Sequence, residues 1–310
     1  MSVADRPPRV VAVAGGVGGA RMVAGLHRVL DEGMLTVIVN TGDDFTHWGL
    51  HISPDLDTVM YTLAGLAPEE RGWGIEGDTF EVLAESKRRG GDPWFQLGDR
   101  DLVTHLRRTN ALAAGSSLTE ATAAICRELG ITRPILPMSD EPCPTVIVTT
   151  DDKSMAFQDW LVRERGAPLV ARVQSGSSAS ATAKVLGALA EADLVVLCPS
   201  NPYVSIDPIR SLDGVAQWLR DKAVVAVSPL VGGKAVKGPL ASMVSSIDRM
   251  EPSAQWVAKH YDGFLDGLVV HPGDRFECAI PLLETDILIQ KPQDRVRLAR
   301  ELLEFARSRL

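Results

Sequence analysis

Continuous apolar runs recur at Val10–Ala14, Thr145–Thr149, Ala223–Val227 and Gly267–Val270, and at residues 35–40, 169–173, 194–198 and 287–290, with helically spaced segments between most of them. Runs of this length bounded by turn residues read as buried strands. Their alternation with helices predicts a largely parallel sheet covered on its faces. Connecting helices are expected over residues 20–30, 179–191 and 208–219. A terminal helix from Asp294 places Val296, Leu298, Leu302, Leu303 and Ala306 broadly on one face, the pattern of a helix docked on a core. Between residues 56 and 129 the strands nearly vanish. Helical spacing takes over at 56–66, 78–89, 99–114 and 117–129, where Ser117 and Glu120 are spaced as a capping box. The expected fold is therefore α/β, a mostly parallel sheet flanked by helices with an inserted helical subdomain. Residues 1–55 and 135–310 form the core, and residues 56–134 form the insertion, which ends near a linker at 134–144.

Composition narrows the partners. The chain has 310 residues, 45% hydrophobic and 23% charged, ordinary for a globular protein. No apolar run approaches the length of a bilayer span, and the polar lead-in from Met1 to Pro8 does not read as a signal segment, so a cytoplasmic protein without membrane contact is expected. A formal net charge of −8 disfavours nucleic acid as a partner, although a local basic patch can still hold a small anion. Cys126, Cys143, Cys198 and Cys278 lie far apart and read as buried thiols. His47 and His51 have the spacing of a helical metal pair, but Gly49 and Pro54 place them in a loop.

The most informative segment is the first strand opening into Gly15-Gly16-Val17-Gly18-Gly19-Ala20-Arg21. Glycines there let backbone N–H groups approach an anion, and the following helix points its positive end at the same spot. The loop fits neither dinucleotide fingerprint nor Walker motif, because Arg21 stands where the last glycine of the former belongs and no Gly-Lys-Ser/Thr closes it. The plain alternative is a tight strand-to-helix turn that binds nothing. The second strand ends in Asn40-Thr41-Gly42-Asp43-Asp44, followed by Pro54-Asp55-Leu56-Asp57-Thr58. Hard carboxylate oxygens so placed suit a divalent cation or a general base better than a ribose contact. Asp44 and Asp57 are too far apart for one helix face and meet only if the intervening loop folds back over the carboxyl edge of the sheet. One of Asp55 and Asp57 is expected to cap the next helix.

Three later segments add candidates. Ser200-Asn201-Pro202 follows a buried strand and offers either polar contacts to a ligand or a plain turn. Lys234 and Lys237 lie on a glycine-rich loop after Ser228-Pro229 and suit an anion clamp. Within the insertion, Arg71-Gly72-Trp73-Gly74 and Trp94-Phe95-Gln96-Leu97-Gly98-Asp99-Arg100-Asp101 concentrate aromatics in a chain that is 5% aromatic. They make either a wall for a flat heterocycle or a packing hub.

Taken together and in this order, with Pro137-Met138-Ser139-Asp140, Ser205-Ile206, Gly232-Gly233-Lys234-Ala235 and Lys237-Gly238-Pro239, these segments resemble the 2-phospho-L-lactate transferases of coenzyme F420 biosynthesis over nearly the whole chain. The resemblance implies a Rossmann-like nucleotide-binding core, a homodimer and dependence on Mg²⁺. It also implies transfer of a phosphorylated three-carbon acid (2-phospholactyl, phosphoenolpyruvyl or 3-phosphoglyceryl) from a guanosine diphosphate carrier to the ribityl hydroxyl of the deazaflavin Fo, with release of GMP. On that pattern Gly15, Gly16, Gly18, Gly19 and Arg21 hold the diphosphate. Asp44 and Asp57 serve as metal ligands or base, with Asp43 and Asp55 as further ligands. Ser200 and Asn201 contact the nucleotide, with Lys234 and Lys237 near its phosphates. The insertion covers the deazaflavin through Trp94, Phe95, Asp99, Arg100 and Asp101. Asp207 stands where the pattern has Gly, which leaves the acyl group open. Two other readings are a nicotinamide dehydrogenase and a related non-enzymatic regulator that binds sugar nucleotides. The regulator group follows its aspartate pair with Gly-Gly-Ser-Ser, whereas this chain has Phe45-Thr46-His47-Trp48-Gly49.

Overall fold

The computed structural model describes residues 7–175 and 179–309. Seven strands form one sheet in the spatial order Leu282–Glu284, Gly267–Val270, Ala223–Val227, Leu194–Leu197, Val10–Ala14, Leu35–Val39, Ile135–Pro137, every neighbouring pair parallel. The central strands are buried on both faces, which explains their unbroken apolar composition. Helices cover both sides, making a doubly wound, Rossmann-like α/β fold. The helix Gly16–Val29 lies between Pro54–Leu63 and Pro292–Arg309, and Gly25 is needed there because a Cβ would stand 2.2 Å from the Arg295 carbonyl oxygen. On the terminal helix, Leu298, Ala299, Leu302, Phe305 and Ala306 are buried.

Several expected elements differ. Thr145–Thr149 is a strand, but it pairs antiparallel with Ser154–Ala156 and Val170–Ser175 in a separate sheet. The four residues between its first two strands cannot make a parallel crossover, and Val170–Ser175 alternates half-buried and exposed positions from Ala171 on. Residues 287–290 are not a strand, and the sheet instead ends at Leu282–Glu284. Ile135–Pro137, inside the expected linker, is the other edge strand, where proline is tolerated. The helix expected over 208–219 breaks into Asp207–Arg210 and Val215–Asp221 at Gly214, whose φ of 82° is left-handed. Phe45–His47 and Leu50–Ile52 form a hairpin rather than a loop, turning at Trp48 and Gly49 with φ of 52° and 75°.

The four helices Pro54–Leu63, Glu81–Arg88, Asp101–Ala113 and Leu118–Glu128 separate the second sheet strand from Ile135–Pro137. The capping box is formed: Glu120 N–H donates to Ser117 Oγ (3.2 Å) and Ser117 N–H to Glu120 Oε2 (2.9 Å). Cys126, Cys143 and Cys198 are buried, but Cys278 is exposed, on a segment outside the core. Among the described residues no helix is long and apolar enough to cross a membrane.

Candidate active site

The strand order reverses direction between Val10–Ala14 and Leu194–Leu197, and open α/β sheets bind ligands at the carboxyl edge of such a switch point. The glycine loop meets the start of the next crossover there. Ser200 Oγ donates to the Gly15 carbonyl (2.8 Å) and accepts from its N–H (3.0 Å). A Cβ on Gly15 would stand 2.5 Å from Asp55 Oδ2, one on Gly18 2.5 Å from the Pro199 carbonyl oxygen, and one on Gly19 2.6 Å from Ser200 Oγ. These glycines therefore serve close packing at the crevice. The Gly16 N–H, at the positive end of the helix, donates to Asp55 Oδ1 (2.7 Å), so a carboxylate of the chain itself occupies that anion seat.

The loop after the second strand does fold back over the sheet edge, and it gathers three carboxylates. Asn40 organises two of them: its Nδ2 donates to Asp55 Oδ2 (2.9 Å) and Asp43 Oδ1 (3.2 Å), while its Oδ1 accepts from the Gly42 N–H (2.9 Å). Asp44 Oδ2 accepts from Ser53 Oγ (2.7 Å) and lies 3.1 Å from His51 Nε2. Burial, then the charge of Asp55, holds the Asp43 carboxyl well above its ordinary range. Burial raises Asp55 to about 6 against its hydrogen bonds, and raises Asp44 against those from His51 and Ser53. Neither Asp55 nor Asp57 caps its own helix, because Asp55 reaches across to Gly16 and Asp57 turns to Arg108.

Beside this cluster lies a mostly apolar cavity of about 320 Å³, floored by Asp55 and Asp57 and walled by Tyr61, Trp73, Phe95 and Leu161. Both Asp57 oxygens face Arg108, which is fully buried; Nη2 donates to Oδ1 and Nη1 to Oδ2 (3.2 Å). Burial opposes the Arg108 charge, but Asp57 and Asp44 outweigh it and raise the group. His105 sits between two carboxylates, Nδ1 3.6 Å from Asp57 Oδ2 and Nε2 3.3 Å from Asp101 Oδ1. Tyr61 donates to the same Asp101 oxygen (2.6 Å). Asp101, His105 and Arg108 recur at i, i+4 and i+7, one stripe of a helix. That charged stripe, at positions where a core face is expected, is the sequence signal for His105 and Arg108. No pattern marks Gln158, whose Nε2 lies 3.5 Å from Asp43 Oδ2.

Of the aromatic segment, Phe95 and Asp101 line the cavity. Trp94 packs on Phe45, His47 and Phe95 under the Arg163 guanidinium, 4.7 Å from its ring centre. Asp99 accepts from the N–H groups of Glu81 (2.9 Å) and Val82 (3.0 Å) at the start of a helix, and Arg100 donates to the Glu76 carbonyl. Arg21 donates to the carbonyls of Ile289 and Glu69. Asn201 holds its own turn through Tyr203 N–H (3.0 Å). Lys237 Nζ donates to the Arg71 carbonyl (2.9 Å), and burial, then Arg21, lowers its pKa; Lys234 is exposed on a short hairpin. Asp207 is paired with Arg210 (3.0 Å) and His260 (2.9 Å).

The oxygens of Asp43, Asp44 and Asp55 are the hard donors a divalent cation takes, and Asp44 Oδ1 is buried without a hydrogen-bond partner. Among the described residues no three His, Cys, Asp or Glu side chains close around a single point. A cation held here would therefore complete its shell with water and substrate oxygens, as Mg²⁺ commonly does.

Fold and site together define an α/β protein with a carboxylate-lined crevice at a topological switch point, where open sheets of this kind bind ligands. The sequence profile of the family described as 2-phospho-L-lactate transferase CofD matches residues 10–291, and the chain belongs to that family of transferases. A phosphoenolpyruvate transferase from Thermobifida fusca is 43% identical over 281 residues, covering 86% of this chain and 87% of its own. Proteins of the same name from Mycobacterium marinum and Mycobacterium tuberculosis H37Rv are each 38% identical, over 96% and 90% of this chain and 98% and 94% of theirs. A crystal structure of a UPF0052-family protein from Bacillus halodurans shares the fold at a TM-score of 0.65 and 13% identity, covering 96% of this chain and 99% of that one.

Proposed function

We propose that the protein transfers a phosphoenolpyruvyl group from its guanosine diphosphate carrier to the terminal ribityl hydroxyl of Fo, releasing GMP, in coenzyme F420 biosynthesis. The observation that carries this reading is the aromatic-walled cavity whose floor, Asp55 and Asp57, adjoins the three-carboxylate cluster and the glycine loop. In this reading a planar deazaflavin lies among Tyr61, Trp73 and Phe95, which line the cavity, and its ribityl chain runs toward Asp55 and Asp57. The hydroxyl oxygen attacks the β-phosphorus, the bond to the GMP oxygen breaks, and the hydroxyl proton passes to a carboxylate. Asp57 suits that role because it lies on the cavity surface and Arg108 fixes its orientation. Asp44, whose Oδ1 has no hydrogen-bond partner, would hold Mg²⁺ with one neighbour of its cluster and with water and substrate oxygens, and the ion would supply charge neutralisation on the phosphate oxygens. In this reading Lys237 adds positive charge for the donor.

The choice of acyl group rests on the names of the three relatives. Asp207, where the pattern has Gly, is engaged locally by Arg210 and His260. The assembly we propose is a homodimer. The test is incubation of purified protein with Fo, Mg²⁺ and each of the three donors in turn, reading product by mass spectrometry and GMP by chromatography. Phosphoenolpyruvyl product formed fastest supports the proposal. Preference for another donor refutes the acyl assignment, and no product from any donor refutes the reaction.

A further inference from the structure

A second cavity, of about 400 Å³, lies along the flank of the glycine helix, where Gly16–Val29 packs against the end of Pro54–Leu63 and the start of Pro292–Arg309. It is lined by Arg21, Arg28 and Arg295, with Glu69 as its one carboxylate. Glu69 is already engaged, pairing with Arg295 through its side chain and accepting from Arg21 through its carbonyl oxygen. Three guanidinium groups therefore face one carboxylate in a chain whose net charge is −8. The Arg295 Nε is buried without a hydrogen-bond partner. Burial, and then the charge of Arg295, pulls the Arg21 pKa down, as expected where positive charge is concentrated and undercompensated.

This cavity is separate from the catalytic crevice. Arg28 follows Gly16 by twelve helical residues, about 18 Å along the axis at 1.5 Å per residue. The two cavities do share a thin wall: Gly72 lines this one, Val17 lines the other, and a Cβ on Gly72 would stand 2.4 Å from Val17 Cγ1. Guanidinium forks match phosphate oxygens in pairs, and the volume exceeds what an inorganic phosphate fills. Of the rest of the lining, His27 and Thr62 are polar, while Ala24, Leu63 and Pro68 give an apolar patch that suits a short carbon skeleton. We infer that this cavity is a second anion site, built for a small phosphorylated organic molecule distinct from the donor and acceptor of the transfer.

The test uses inorganic pyrophosphate as probe, titrated calorimetrically into the intact protein at fixed ionic strength. Arg28→Glu reverses a charge at an exposed position of the cavity rim, and Arg127→Glu makes the same change in net charge at an exposed position outside it. Wild type is expected to bind pyrophosphate, Arg28→Glu to weaken one binding step at least ten-fold, and Arg127→Glu to change it less than two-fold. Arg295→Lys, which keeps the charge but loses the fork, should weaken the same step. Absence of wild-type binding, an unchanged isotherm in Arg28→Glu, or equal weakening by both reversals would overturn the inference.

Discussion

Arg108→Met tests the most consequential contact beneath the acceptor cavity. Arg108 is fully buried and the Asp57 side chain is 7% exposed, so neither charge can recover solvation when its partner is removed. Among the described residues the further basic side chain within ion-pair distance of Asp57 is His105, at 3.6 Å. Removing one member of such a pair costs about 3–5 kcal/mol, because the other charge is left buried and uncompensated. Replacing both members with neutral side chains of similar volume costs much less, since the attraction lost and the desolvation relieved nearly cancel. Guanidinium chloride unfolding of wild type, Arg108→Met, Asp57→Asn and the double variant closes a thermodynamic cycle. Arg108→Met is expected to lose about 3–5 kcal/mol and the double variant to regain at least about 1 kcal/mol of it. A loss below about 1 kcal/mol, or a double variant no more stable than Arg108→Met, would show that the pair does not hold Asp57 in place.

Asp44→Asn should lower kcat at least about 10²-fold without loss of thermal stability, since it strikes the transition state while relieving a buried carboxylate; near-normal turnover would remove Asp44 from the chemistry. Phe95→Ala should weaken Fo binding about ten-fold, whereas Trp94→Ala, outside the cavity lining, should change it less than about two-fold and lower stability instead. The reverse ranking, read by fluorescence titration, would relocate the deazaflavin. Asp55 is raised on folding, so the folded protein binds its proton more tightly than the unfolded chain. In chelator its stabilising contribution should be full below pH 4 and lost as pH rises through about 6, and Asp55→Asn should flatten that slope. A wild-type slope that Asp55→Asn leaves unchanged in denaturant titrations at pH 4.5, 5.5 and 6.5 would contradict the burial of this carboxylate.

The central strands were legible because burial on both faces demands unbroken apolar runs, as in Val10–Ala14 and Ala223–Val227. Edge strands were not. Ile135–Pro137 and Leu282–Glu284 have three residues each, too few for a periodic signal, and prolines flank or enter the first. Thr145–Thr149 shows a different limit, since an apolar run announces a strand but not the sheet that receives it. At the site, residue type was readable and partnership was not. The glycines and aspartates stand out by chemistry, yet Asp57 finds Arg108 across 51 residues, and the spacing of Asp101, His105 and Arg108 marks a charged stripe without naming its partner. Asp99 illustrates the converse: a carboxylate in a motif-rich segment is consumed by capping a neighbouring helix, a use that depends on tertiary placement.

The most direct test of the proposed function is a titration of Fo into purified protein with Mg²⁺ and GDP present, following deazaflavin emission. Saturable binding of one Fo per chain, weakened by Phe95→Ala, is the expected result. Unchanged emission at protein concentrations well above the micromolar range would contradict a deazaflavin acceptor.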